Sequence, residues 1–411
     1  MKKFILFSAC LFLLSACNND KPDAPEIQEN PIFKVSMQDI QKAVRDALDN
    51  PINGMPNFDV PVIDAIDSIQ ADYRPAQSTE KTHYRKTLLY FVKLVKGPTV
   101  MVGADKRAEP IYGILPNADL KFGKGKLLAQ DQLQAPCRLM IGAAAASALC
   151  AVETTTTPNP RWALLQTEKG RNMAGWQMTK CPVVWGQGYP LNLLSPSSEG
   201  PYADRGKAAA GSVPVALAQT LTVFKKDFSV FYGYNLKTSW AKLRNRTSNT
   251  SFTAGDEQND IAVIVNYIGI SIGQVYNKDG SATATLRRGL DFLSDYLGRS
   301  LGYDQNWNNV SRNMKANSHG ITLLSVGEQN NDALWKRLGI ERPKSSEICL
   351  LLDGFEQKNG ATLFYVNSGC GEKANGYYLY DDKIWQEVAH SPYSLNMKVY
   401  NLYTTTDYDE F

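Results

Sequence analysis

The sequence predicts an α+β fold, and three observations carry that prediction. In the second half, helical patterns come first and strand patterns follow, with no strand–helix–strand alternation. From Thr87 onward, two β-rich runs are broken at Lys96-Gly97-Pro98, a hairpin signal. The chain has 411 residues, 43% hydrophobic and 21% charged, which suffices for one large core or two closely joined ones.

At the amino terminus, Lys2 and Lys3 precede the apolar run Phe4 to Leu14, and Leu14-Ser15-Ala16-Cys17 completes the three-part form of a secretory signal. The run is too short to span a bilayer as a stable helix. A small-residue triplet ending in Cys is the pattern a bacterial lipoprotein signal peptidase cuts, so residues 1–17 are expected to be the leader and Cys17 the lipidated first residue. Two or more acyl chains, at ~0.8 kcal/mol per buried methylene, hold a protein on a membrane stably. The expected location is therefore the bacterial cell envelope, lipid-anchored on the periplasmic or cell-surface side. Asn18 to Asn30 is polar, contains Pro and has no apolar period, so residues 18–35 are expected to be a flexible tether.

Ser36 followed by Met37, Ile40, Val44 and Leu48 predicts an amphipathic helix capped by Ser36 and stopped at Asn50-Pro51. A second short helix is expected near Ile63 to Ile69. The strand runs after Thr87 lead to a charged turn, Asp105-Lys106-Arg107. "CRLMIGAAAASALC", residues 137–150, is uniformly apolar and too short to cross a bilayer, so it predicts a buried helix. "ETTTTPNP" at 153–160 opens a linker. Beyond it, a helix is expected to begin at Ser212 and another to cover Leu286 to Leu297. Strands are expected at Ile321 to Val326, Ile348 to Leu352, Thr362 to Val366 and Met397 to Tyr403. A hairpin should join Ile348–Phe355 with Ala361–Val366 through a turn whose Asn359-Gly360 favours positive φ, placing Ile348 close to Asn367 and facing Ser212. There is no internal repeat.

A net charge of +3 predicts no nucleic-acid or anionic partner. Of the 7 Cys, setting aside Cys10 and Cys17 leaves Cys137, Cys150, Cys181, Cys349 and Cys370. Five is odd, so at least one thiol stays unpaired even where disulfides form. No CxxC pair is present and the only histidines are His83, His319 and His390, so neither a metal nor a cofactor is expected.

Four stretches in order, "GQGYPLNLLSP", "AAAGSVPVALAQTL", "LLLDGF" and "FYVNSGCGEKANGYYLYD", resemble the streptopain family of papain-like cysteine proteases. "YFVKLVKGPTVMVGADKRAEPIYGI" in addition resembles that family's pro-domain; together they cover most of residues 80–385. The resemblance implies a papain-like two-subdomain protease fold preceded by a small α+β pro-domain-like region. It assigns residues 36–152 to the pro-domain-like region, 153–180 to a linker and 181–411 to the papain-like domain.

Carried over position by position, the resemblance implies that Gln187 stands where the family's oxyanion donor stands. Ser212 occupies the place of the nucleophilic Cys. Counting back from Asp353-Gly354, Ile348 occupies the place of the general-base His, preceded by Glu347 where Gly is usual. Asn367 matches the residue that orients the base, and Ser368 and Cys370 replace two Trp. A thiol beside an imidazole and a helix amino terminus becomes largely thiolate, but a serine hydroxyl needs a base to take its proton during attack. Loss of nucleophile or base alone costs on the order of 10⁶ in turnover in a well-studied serine protease. An oxyanion donor such as Gln187 preserves roughly 10³ over water.

His319, at a turn before a strand about thirty residues ahead of the strand with Ile348, is the candidate substitute base; the competing reading is a solvated turn histidine. Cys349 is expected to pack as a small hydrophobe. The leading expectation is a catalytically inactive, streptopain-like lipoprotein that binds a peptide or protein partner, an active protease among the candidates. The alternative is a peptidase that uses Ser212 with a non-family base such as His319. A third reading, surface adhesion without use of the cleft, has no positive sequence support.

Overall fold

The computed structural model describes residues 30–48, 61–73, 84–116, 120, 122–123, 126–127, 135–165, 176–177, 180–224, 228–297, 301–316, 320–327, 331–343, 347–358, 360–371 and 375–404. The expected leader, Cys17, most of the tether, His83, His319 and Asn359 lie outside them.

The helices that frame the sheet are α1 (Met37–Leu48), α2 (Ala135–Thr154), α3 (Ser212–Phe224), α4 (Asp256–Ser271), α5 (Leu286–Leu297), α6 (Val310–Ala316) and α7 (Asp332–Leu338). Among the described residues, eleven strands form the main sheet: β1 (Ile63–Tyr73), β2 (Tyr84–Leu94), β3 (Thr99–Gly103), β4 (Ile111–Leu115), β5 (Trp176–Gln177), β6 (Leu301–Asp304), β7 (Ile321–Gly327), β8 (Glu347–Lys358), β9 (Ala361–Asn367), β10 (Gly376–Leu379) and β11 (Lys398–Thr404). Their order is β1-β2-β3-β4-β10-β9-β8-β7-β11-β6, with β5 pairing on β8. One sheet therefore runs without a break from the amino-terminal strands into the carboxy-terminal ones, joined where Tyr377 and Tyr378 of β10 pair with Ile114 and Gly113 of β4.

Strand alternation divides the core between the faces of this sheet. On β8, Ile348, Leu350 and Leu352 pack with α2 and α7, whereas Cys349 and Leu351 pack with α3, α4 and α5. A third cluster seats α1 against β2, β3 and β4. Helix α2 is buried along every residue from Pro136 to Leu149, because it is apolar on all sides and the fold covers it all round. It is long and apolar enough to cross a membrane by composition, but 83% of that window is buried inside the fold. Gly142 lets α2 approach α7: a Cβ there would lie 2.3 Å from the Trp335 ring.

The Ser36 cap forms as expected, with the Asp39 N–H donating to Ser36 Oγ at 3.2 Å and Ser36 N–H donating back to Asp39 Oδ2 at 2.9 Å. The helix expected near Ile63–Ile69 is corrected: these residues are in β1. Ile63, Ile66 and Ile69 recur every third residue, which reads as helical, but register shifts between Ile63 and Ala65 and between Ile69 and Gln70 let that spacing follow β2 as a strand. The stretch expected as a linker carries structure of its own. Arg161 forms an ion pair with Glu109 at 2.7 Å and donates to the Gly360 carbonyl at 2.6 Å, tying β9's turn to the amino-terminal half.

Candidate functional site

Ser212 is the first residue of α3, and the turn that delivers it requires glycine. Gly211 has φ +93°, and a Cβ there would meet Gln274 Oε1 at 2.3 Å. Ser212 is buried, and its Oγ accepts a hydrogen bond from the backbone N–H of Cys349 at 3.3 Å. That contact sets β8 against the head of α3.

Gln187 is brought to the same place by its backbone, whose carbonyl accepts from the Ala210 N–H at 2.8 Å, two residues ahead of Ser212. Its turn is held by Asn249, a side chain that no sequence motif singled out. Asn249 Oδ1 accepts from Gly186 N–H at 2.7 Å, and its Nδ2 lies 3.1, 3.1 and 3.0 Å from the carbonyls of Gly186, Gly188 and Tyr189. Asp204 Oδ2 adds a bond from Tyr189 N–H at 2.7 Å. On the opposite side Gly186 bridges to Cys370, where a Cβ on Gly186 would lie 2.7 Å from the Gly371 nitrogen. Replacing Asn249 by Ala removes every one of the Asn249 bonds, while the Gly188 carbonyl keeps the Leu191 N–H at 3.0 Å. Asn249→Ala should cost about 2–3 kcal/mol in a urea melt and accelerate amide exchange at 186–189, leaving α5 unaffected.

Other expected site residues are not assembled as the resemblance implied. The Ile348 side chain is buried with α2 and α7, not on the α3 face; what reaches Ser212 from this part of β8 is the Cys349 N–H. The expected closeness of Ile348 and Asn367 is corrected. Asn367 pairs with Leu351, three residues further along β8, and the ladder partner of Ile348 is Val326 of β7. Nor is the Asn367 amide free to orient a ring. Its Nδ2 donates to the Val183 carbonyl at 2.8 Å and to Gln219 Oε1 at 3.0 Å, and its Oδ1 accepts from Gly369 N–H and Asn375 Nδ2, each at 3.3 Å. Ser368, where the family has Trp, donates from both N–H and Oγ to Asn375 Oδ1 at 2.8 Å.

Among the described residues the sole imidazole is that of His390, exposed on a loop at φ +61°. None of the five described cysteines is in a disulfide. Cys349 is fully buried and packs as a small hydrophobe, as expected. Burial pushes the Cys370 thiol far above its ordinary value, although the Ser368 bond opposes this, so it is not a ready thiolate. One acid stands out. Asp353 is 1% exposed, its Oδ2 accepts from the Cys181 N–H at 2.9 Å and its Oδ1 has no partner among the described residues. Burial raises its pKa to about 7 against the opposing pull of the Cys181 N–H and Lys180.

The Peptidase C10 family matches residues 185–378, a stretch that contains Gln187, Ser212, Ile348 and Asn367. No curated protein matches the chain. Among solved structures, the chain is similar to a mutant of the Prevotella intermedia prointerpain A fragment 39–359, at 17% identity and a TM-score of 0.48, with 81% of this chain and 98% of that one covered.

Proposed function

We propose, for a chain that belongs to the streptopain-like peptidase C10 family, a protease homologue without turnover that holds a peptide or protein segment beside Gln187 and Ser212. One observation carries this reading: the Ser212 hydroxyl is met by a donor, the Cys349 N–H, and no acceptor for its own proton stands beside it among the described residues. A hydroxyl becomes a nucleophile only when a base removes that proton. A hydrogen bond donated to Oγ draws electron density away from it. Next along β8 stands Ile348, apolar and buried, which has no proton chemistry to offer.

Holding a peptide requires less. At the turn 369–371, a Cβ on Gly371 would meet nothing within 4 Å among the described residues, so an extended segment could approach this backbone closely without meeting side chains. A lipid on Cys17 would keep the protein on a membrane of the bacterial envelope, and an active protease is among the partners proposed for this site.

Ser212→Cys supplies a reporter thiol at this spot. Peptides from a casein digest should slow iodoacetamide alkylation of residue 212 saturably, read by mass spectrometry, while Cys150 alkylation stays unchanged. Equal alkylation at every peptide concentration would remove the binding reading.

A further inference from the structure

Asp353 lies at an irregularity of β8. The β8–β9 ladder shifts register between Leu352 and Gly354, which leaves Asp353 as the unpaired residue of a bulge. Its carboxyl reaches across to the start of the segment 181–187, the strap that ends in Gln187. Five backbone anchors along that strap are Cys181 N–H to Asp353 Oδ2 at 2.9 Å, the Val183 carbonyl to Asn367 Nδ2 at 2.8 Å, Val184 N–H to the Thr247 carbonyl at 2.7 Å, Trp185 N–H to Gln219 Oε1 at 3.0 Å, and Gly186 N–H to Asn249 at 2.7 Å. The first anchor is the one that can change charge.

The groups around Asp353 do not suit an anion. Its Oδ1 is buried without a partner among the described residues. The Cys181 thiol stands on the strap, the phenols of Tyr365 and Tyr377 on β9 and β10, and Glu356 further along β8 itself acts on Tyr377. Lys180 is the cation that acts on Asp353. A neutral carboxyl keeps the Cys181 bond at Oδ2 and carries no charge. An ionised one must be met by several donors, and among the described residues one N–H is in place.

We propose that Asp353 is a proton-operated latch, which holds the 181–187 strap while protonated and loosens it when ionised, so that the site beside Ser212 is tight in mildly acidic surroundings and slack above neutrality. The consequence for ligands rests on the proposed peptide binding; the latch itself does not. Ionisation is relieved by letting the carboxylate meet water, which requires the Cys181–Val183 end of the strap to lift. The bonds at Val183 and Trp185 share Gln219 and Asn367, so lifting one end weakens the next.

Amide exchange read by mass spectrometry tests this directly in the full chain, after correction for the intrinsic pH dependence of exchange. Protection of the 181–187 peptide, taken relative to a peptide from α2, should fall by about tenfold between pH 5.5 and 8, and Asp353→Asn should abolish the fall. A flat wild-type ratio, or the same fall in Asp353→Asn, would overturn the latch. Should that variant not fold, the carbon-13 resonance of the Asp353 carboxyl in wild type decides, since ionisation throughout this range also overturns it. Alkylation of Ser212→Cys with casein peptides at both pH values separates the two readings. Strap exchange that responds to pH without peptide protection leaves the latch and removes the binding site; protection with a flat strap does the reverse.

Discussion

Trp335→Ala should destabilise the folded chain by about 3–5 kcal/mol, and the β1–β4 half should unfold with the rest in one transition. Trp335 belongs to α7, in the carboxy-terminal half, and its ring is seated on Gly142 of α2, in the amino-terminal half. Trp335 shares a buried cluster with Ile69, Leu88 and Phe91 from β1 and β2 and with Leu350, Leu352 and Phe364 from β8 and β9. The truncation therefore opens a cavity in a core that both halves share, and the sheet crosses from one to the other through β4 and β10. Polar links repeat the connection: buried Arg138 of α2 bonds Glu341 at 3.1 Å and Tyr202 at 2.7 Å, and Tyr393 donates to Glu153 at 2.6 Å. Calorimetry of the variant checks this. Two separate transitions, with the amino-terminal one unmoved, would show that the halves are independent.

Asp353→Asn should stabilise the protein at and above neutral pH by up to about 4 kcal/mol, with little effect near pH 4. In the wild type the folded-state pKa is raised from 3.8 to about 7, so the folded chain binds the proton more tightly than the unfolded one. The stability this contributes is fully present below about pH 4, is lost progressively as pH rises to about 7, and stays lost beyond. At about 1.4 kcal/mol per pH unit, an interval of this width accounts for a gain of that size. Asparagine keeps an oxygen to accept from Cys181 and carries no titrating proton, so its urea-derived stability should be flatter across this window. Curves for the two proteins that run parallel from about pH 4 to 8 would contradict the burial argument.

What the sequence made legible follows from range. The strands at Ile321 and Thr362 and the helix from Leu286 to Leu297 are strongly patterned locally, and the structure places them within a residue of their expected ends, whereas β8 starts at Glu347, beside the expected Ile348, but runs on to Lys358, past the expected end at Leu352. Helix α2 was legible because an apolar run with no polar face has to be covered on all sides. The β1 segment was misread because a bulge changes the apolar period, and the bulge depends on the partner strand. Ile348 was misplaced relative to Asn367 by the turn: β8 continues to Lys358, which pairs with Ala361, instead of turning from Gln357, and this tighter turn moves the register away from Ile348, a displacement of which the shift at Asp353 recovers one residue. Gln187 and Ser212 could be paired from motif order. Asn249, Asn375 and Gln219 could not, since each is an ordinary polar residue whose partners lie far along the chain or on another element. Asp353 served only as a landmark for counting, because nothing local shows that the fold closes around it.

The proposal that Ser212 has no base is tested most directly by turnover of the purified protein. Wild type and Ser212→Ala should be incubated side by side with casein and with small peptide esters, over hours and at high enzyme concentration. A site limited to the Gln187 contribution leaves activity on the order of 10⁶ below that of an intact protease and owes none of it to the Ser212 hydroxyl, so the two proteins should match each other. Hydrolysis by wild type that vanishes both in Ser212→Ala and in His319→Ala would contradict the inactive-homologue reading and make the protein a serine hydrolase.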